Sequence, residues 1–320
     1  PEYQQAILNA KDRGRLEAAT ISFVIVANDQ YELAANRQAF NSNVGGFNGK
    51  PYRDASPGGW FSYDMEVVPG IPNYLFMTYY SGDVGREFNI YIDDQLLVRE
   101  RIENRNPGNF YNQIRQIPQE WVDGSRTKTV TETGPGGEPV ERQVHYVTVR
   151  FASTGGFVGG LFDIFRVIKS YENNPNLKSL RFDTGVLSPG FDPEHTEYTL
   201  TVPRDTESVT MTVEPADEYG LVYVGGLLID DNLPRKVVLA GDRTELVLTA
   251  KAEDHVTERQ YTVQIVKGDL PEEEPPLDEE PGEEEPGEEE PGEEPGEEEP
   301  GEEEPGEEEP GDQEPGEGPG

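Results

Sequence analysis

Any chemistry in this chain falls to carboxylates, imidazoles and aromatic rings, because the sequence contains no cysteine. Thiolate nucleophiles, disulfides and cysteine metal sites are excluded together. Two carboxylates facing each other across a bond are the minimal apparatus of glycoside hydrolysis. The sequence offers two adjacent pairs, Asp93-Asp94 and Asp230-Asp231. Neighbours at a turn tend to point apart, and turn chemistry accounts for both pairs. Asp64 is less bland, because a carboxylate inside a strand pattern needs a partner. Arg53 is the expected one, as a structural ion pair rather than a catalytic acid. His145, His195 and His255 lie in separate segments, none at metal-ligand spacing, so neither a metal nor another cofactor is assigned. Gly155, Gly156, Gly159 and Gly160 lack the Lys-Ser/Thr ending of a phosphate loop, and tight turns or close strand approach explain them.

Aromatic rings give a second kind of site. Trp60, Tyr63, Tyr79, Tyr80 and Trp121 are the candidates for carbohydrate binding, since a ring face buries the apolar face of a sugar. Alternate residues of a strand share a face, so Phe61 and Tyr63 point together and Trp60 points away. One of those sets must fill a core; Tyr79 and Tyr80 divide the same way. Trp121 stands just before a turn. For each of them core packing is the leading reading and sugar contact the second.

The elements that hold these residues read as strands. Residues 1–19 are rich in helix formers, with Gly14 expected to end or kink the helix. Residues 21–27 are an apolar β-type run, and residues 41–59 are loop-like, dense in Gly, Asn, Pro and Ser. From Trp60 to about Lys169 short aromatic and β-branched runs dominate. Asp93-Asp94 marks a hairpin turn, and residues 123–143 form a polar excursion, a protruding hairpin or mobile loop. After a linker at 171–176, seven short strands follow in about 90 residues, the count and spacing of an immunoglobulin-like sandwich.

The fold class expected is all-β, with two consecutive antiparallel β-sandwiches. Residues 1–40 are a helix and connection out of an upstream domain. Residues 41–171 form a jelly-roll-like sandwich, residues 172–269 an immunoglobulin- or cadherin-like one, and residues 270–320 an acidic linker.

Charge narrows the partners. The net charge of the 320-residue chain is −38, but residues 271–320 hold 26 acidic side chains and no basic one. The first 270 residues carry 38 acidic and 26 basic groups, a net −12. Nothing resembles the clustered Lys and Arg that nucleic acid requires, and an anionic membrane surface is disfavoured for the same reason. No signal peptide and no apolar run of about 18 residues is present, so no membrane insertion is expected. The tail repeats PGEEE with a period of five, once shortened at 291–294. With almost nothing apolar to bury it is expected to be disordered, and stretched by Pro and like charge to at most ~150 Å. It reads as a spacer. The chain starts at Pro1, which suggests a fragment of a longer polypeptide.

Two segments resemble known families. NSNVGGFNGKPYRDASPGGWFSYDMEV, PNYLFMTYYSGDVGREFNIYIDDQLLVRE and VTVRFASTGGFVGGLFDIFRVIKSY look like the C-terminal β-sandwich of the β-L-arabinofuranosidase-like glycoside hydrolases. The likeness covers roughly residues 20–171, and the stretch from Arg53 to Asp64 carries most of it. It implies a parent glycoside hydrolase with an (α/α)6 catalytic barrel upstream. Its chemistry does not transfer, because the family nucleophile is a cysteine held near zinc by further cysteines and a glutamate. The second segment, about 176–268, is similar to the cadherin-like β-sandwich repeat of bacterial surface proteins. Its marks are Leu177, Leu180, the LSPGFDP turn at 187–193, Tyr198 and Tyr261-Thr262-Val263. The calcium motifs of true cadherin junctions are not visible.

The resulting expectation is a non-catalytic, extracellular region, at a bacterial cell surface or secreted, that supports and spaces an upstream catalytic domain of the same chain. A carbohydrate-binding module for arabinose-containing plant or wall polysaccharide is the alternative. The chain is expected to be a monomer.

Overall fold

Helix α1 (Glu2–Ala19) opens the chain and passes straight into strand β1 (Thr20–Ile25). The computed structural model describes residues 2–231 and 233–270. α1 neither stops nor kinks at Gly14. A Cβ there would meet the ring of Tyr219 at 2.2 Å, so the glycine admits a neighbour rather than breaking the helix. The short helix α2 (Asp29–Ala34) follows, its N-cap Asn28 accepting the Gln30 amide.

Strands β2 (Gln38–Phe47) and β3 (Lys50–Val67) form one long hairpin. This corrects the expectation of a loop over 41–59. Asn48 and Gly49 make the turn, both with positive φ, the tight pattern that suits a twisted hairpin. Two other glycines, Gly45 and Gly59, mark close approach within paired strands. A Cβ at Gly45 would lie 2.7 Å from the ring of Tyr52, and one at Gly59 2.6 Å from the carbonyl of Asn41. The register slips between Phe40 and Ser42, a bulge that bends the hairpin around the core.

The remaining elements of the first sandwich are β4 (Asn73–Tyr80), β5 (Glu87–Ile92), β6 (Gln95–Arg101), β7 (Phe110–Gln116), α3 (Gln119–Asp123), β8 (Arg126–Thr133), β9 (Pro139–Ser153) and β10 (Val158–Lys169). Their order is β6-β5-β9-β3-β10-β4-β7, with β1 on β10, β2 on β3 and β8 on β9. β1 thus joins this sheet, although the sequence suggested a connection up to residue 40. β3 pairs with β10 through its first part and with β9 through its last, so the sheet folds over on itself into two layers. Asp93 and Asp94 do turn the β5–β6 hairpin, both with positive φ, and β8–β9 is the protruding hairpin expected over 123–143.

Alternation decides what goes inside. Phe61, Tyr63, Met65 and Val67 of β3, Val147, Val149 and Phe151 of β9, and Phe88, Ile90 and Ile92 of β5 share one buried core. Their alternates form the outer face. Close approach accounts for two of the glycines near Phe157: a Cβ at Gly159 would lie 2.3 Å from Ile102, and one at Gly160 2.6 Å from Phe162.

The second sandwich comprises β11 (Leu177–Phe182), β12 (Val186–Ser188), β13 (Glu197–Val202), β14 (Ser208–Pro215), β15 (Leu221–Val224), β16 (Leu227–Ile229), β17 (Arg235–Val238), β18 (Arg243–Lys251) and β19 (Glu258–Lys267). One sheet is β11-β14-β17, the other β12-β13-β19-β18-β15-β16. The pairing is antiparallel except for β13–β19, which is parallel. Tyr261 is enclosed; its hydroxyl donates to the Pro193 carbonyl and accepts the Leu177 amide. Tyr198 grips both backbone groups of Asp192 in the same way.

α1 packs on both sandwiches. Leu16 lies against Phe76 and Ile168 of the first, and Ile7 against Leu221 and Leu228 of the second. Lys11 pairs with Asp231 at 3.1 Å, and Arg15 donates to the Glu253 carbonyl while its guanidinium covers the Tyr171 ring. The linker at 171–176 is also tied down: the Glu172 amide donates to Glu253 and the Asn174 amide to Asp217.

The spacer expected over 270–320 lies, apart from Leu270, outside the described residues.

Candidate functional site

The outer face of the β2–β3–β9–β5 layer gathers aromatic and charged side chains into a groove of about 410 Å³. Strand register builds it. Trp60 stands opposite Phe40, Ser62 opposite both Gln38 and Arg150, and Asp64 opposite Thr148, so all of these residues share the outer face. The β5–β6 turn closes one side with Asp93 and Asp94. A second, separate depression of about 290 Å³ shares Asp93 and Arg126 as walls and is lined by Glu120 and Trp121 of α3. Each tryptophan thus borders its own depression, with Asp93 and Arg126 between them.

Its polar floor is held in place. Arg126 donates to Asp93 at 2.5 Å and to the Thr148 hydroxyl at 2.7 Å. Asp93 also accepts the Thr148 amide at 2.9 Å, and the Thr148 hydroxyl donates to Asp64 at 2.6 Å. Arg150 pairs with Asp94 at 3.0 Å, and its guanidinium lies 4.7 Å over the Tyr91 ring. Tyr146 carries Arg126 and Lys128, each 4.6 Å from its centroid. The Nε of Arg150 is buried without an acceptor among the described residues. Phe40, at 57 % exposure, presents much of its ring to solvent beside the half-buried Trp60.

The predicted sugar-binding aromatics separate. Trp60 borders the groove and Trp121 the neighbouring depression. Tyr63 and Tyr79 do not reach the surface: both are fully buried, because each falls on the inward set of its strand. Tyr63 instead donates its hydroxyl to Glu32 at 2.6 Å. Tyr80 is half-buried on the outer face of the other layer, its ring 4.7 Å from Phe47 and 5.5 Å from Phe110. The five residues therefore do not form one platform.

The expected Arg53–Asp64 pair is also corrected. Asp64 is held by Thr148 and by Asn36 at 2.9 Å. Arg53 points inward to Glu32, a residue the sequence did not single out. Burial of Glu32 acts to raise its carboxyl pKa, but bonds from Arg53, Tyr63, Arg37 and the Ala27 amide outweigh it and bring the pKa down to about 2. A carboxylate so firmly ionised and sealed neither takes nor gives a proton near neutrality, so this cluster braces the fold.

Asp93 and Asp94 face the same groove, one toward each arginine, rather than pointing apart. Asp231 is spent on Lys11 at the α1 seam. His145 contacts Ser125, His195 lies edge-on to Tyr198, and His255 faces Asp12 and the Tyr219 carbonyl. Among the described residues no group of three or more His, Asp or Glu is disposed to hold a metal ion. Sequence reasoning missed Arg126, Arg150 and Phe40. The alternation in residues 147–151 does place Thr148 and Arg150 on the polar face, but only the strand pairing shows that Trp60 shares it.

Residues 177–268 match a family described as a cadherin-like beta sandwich domain. Residues 15–135 match a family of unknown function, DUF6805. No curated protein matches the chain. Among solved structures, a family 35 carbohydrate binding module from Clostridium thermocellum is 12 % identical with a TM-score of 0.29, covering 47 % of this chain and 99 % of its own. The glycoside hydrolase domain of Endo-D from Streptococcus pneumoniae R6 is 10 % identical with a TM-score of 0.30, covering 72 % of this chain and 37 % of its own. The adhesin domain of Epf from Streptococcus pyogenes is 11 % identical with a TM-score of 0.20, covering 79 % and 91 %. None of these likenesses bears on which residues of this chain act. No helix among the described residues is long and apolar enough to cross a membrane.

Proposed function

We propose that this chain is a non-catalytic accessory region of an extracellular carbohydrate-active protein, in which two coupled sandwiches support and space a catalytic glycoside hydrolase domain of the same polypeptide. The observation that carries this reading is the double docking of α1. One helix is packed by Leu16 on the first sandwich and by Ile7 on the second, and pinned by Lys11 and Arg15. Two domains sharing an apolar seam and a tied linker keep their spacing, whereas a free linker would let them swing. The resemblance of residues 20–171 to the arabinofuranosidase-associated sandwich supports the hydrolase partner. The composition of 270–320 supports a further spacer, and residues 41–171 and 172–269 are the two supporting domains.

The test combines proteolysis with a hydrolysis assay. The native chain should resist cleavage within 171–176, and Ile7→Asp should open that segment to protease. Equal cleavage in both would remove the strut. Release of sugar from arabinan or from an aryl arabinofuranoside by the purified chain would remove the non-catalytic assignment. A second reading, that the first sandwich grips polysaccharide, is favoured by the groove beside Trp60.

A further inference from the structure

We infer that the groove lined by Trp60, Asp93, Asp94, Arg126 and Arg150 binds a segment of a neutral polysaccharide, with the neighbouring depression at Trp121 as a second contact. The inference adds a ligand to the accessory reading but does not depend on the α1 strut.

Size comes first. The groove beside Trp60, about 410 Å³, falls within the range of small-molecule sites, and the smaller depression at Trp121 adjoins it across Asp93 and Arg126. Surface depressions of this kind suit a polymer that passes over them, not a molecule that must be enclosed.

Chemistry comes second. A sugar ring has an apolar C–H face and a rim of hydroxyls, each of which both donates and accepts. Trp60 and its cross-strand neighbour Phe40 offer ring surface for the face. The ion pairs Arg126–Asp93 and Arg150–Asp94 place fixed donors beside fixed acceptors, the complement of vicinal hydroxyls. Most of these groups are already oriented by Thr148, Tyr91 and Tyr146, so binding need not immobilise free side chains. Arg150 retains a buried Nε with no acceptor among the described residues.

Charge selects the class. The two arginines and two aspartates beside Trp60 cancel, and Glu120 adds a negative charge at the α3 end. A uronate or sulfated chain would meet no free cation there. A neutral polymer meets no penalty.

The test is affinity electrophoresis of the full chain in gels containing arabinan, arabinogalactan, arabinoxylan or polygalacturonate. Retardation is expected in at least one neutral gel and not in polygalacturonate. Trp60→Ala and, separately, Arg150→Ala should each weaken it roughly tenfold or more, the scale of losing one central contact. Trp60→Phe should restore part of it, and each variant must keep a wild-type circular dichroism spectrum. No retardation in any neutral gel overturns the inference. So does retardation in polygalacturonate alone, and so does retardation that Tyr80→Ala abolishes while Trp60→Ala does not. None of these results touches the proteolysis at 171–176, so failure of the groove and failure of the strut are separable.

Discussion

Glu32 and Arg53 meet inside the first sandwich as a two-pronged ion pair, with Nε donating to Oε1 at 2.8 Å and Nη2 to Oε2 at 2.6 Å. Tyr63, Arg37 and the Ala27 amide complete the carboxylate's shell. The pair ties α2 to the first part of β3. Removing one charge leaves the other buried without compensation, so Glu32→Gln should destabilise the first sandwich by about 3–5 kcal/mol. Urea unfolding followed by tryptophan fluorescence measures it, since Trp60 and Trp121 both lie in that sandwich. A loss under 1 kcal/mol would mean that the shell is dispensable.

The same carboxylate sets an acid limit. Its folded pKa, about 2, lies below the ordinary 4.5 it has when unfolded. Its stabilising contribution is therefore complete above pH 4.5 and drains away as pH falls toward 2. The melting temperature of the wild type should drop through that window more steeply than that of Glu32→Gln. Parallel curves for the two proteins would contradict the assignment.

His255 gives the α1 seam a second, milder pH dependence. Burial and the nearby Arg15 hold its pKa below the ordinary 6.5, and the Tyr219 carbonyl and Asp12 only partly offset them. The unfolded chain then takes up the proton that the folded chain resists, so stability declines as pH falls below 6.5. In His255→Gln this part of the decline should vanish in calorimetric scans between pH 7 and 5.

Gly14 and Tyr219 should show opposite effects alone and together. In an isolated helix Gly→Ala gains up to about 1 kcal/mol. Here the added methyl would strike the Tyr219 ring, so Gly14→Ala should destabilise the chain. With Tyr219→Ala already in place it should stabilise. Chemical denaturation of the four proteins in this cycle reads the coupling directly.

Tyr63→Phe separates core from surface. It deletes one bond to a charged group and should lower stability by about 1.5–3 kcal/mol. Because Tyr63 lies beneath the outer face, electrophoretic retardation by polysaccharide should not change. A loss of retardation at full stability would return Tyr63 to the list of ligand contacts.

Much of the architecture was legible because half-buried strands alternate. EFNIYI, VTVRF and YTVQIVK each put their inward set in a core as the pattern requires. The Asp93-Asp94 turn was legible for a similarly local reason. Residues 41–59 were not, because glycine counts equally for a turn and for a strand that must pass close to a neighbour; Gly45 and Gly59 are the second kind. Arg53 was assigned to Asp64 by proximity along the chain, while the fold brings it to Glu32, a residue in a segment with no periodic pattern. Trp60 was separable from Phe61 and Tyr63 by alternation alone. Its association with Arg126 and Arg150 depends on which strands become neighbours, and that information is tertiary.

The order β13-β19-β18 places the last strand among the described residues inside its sheet instead of at an edge. β19 is bonded in parallel to β13 and antiparallel to β18 along most of its length. The polypeptide thus leaves this domain from a strand clamped on both sides. Fraying cannot begin there by peeling a single ladder, and a pull transmitted from beyond Gly268 is resisted by two ladders at once. The domain thus gains mechanical hold at its exit without any added covalent link.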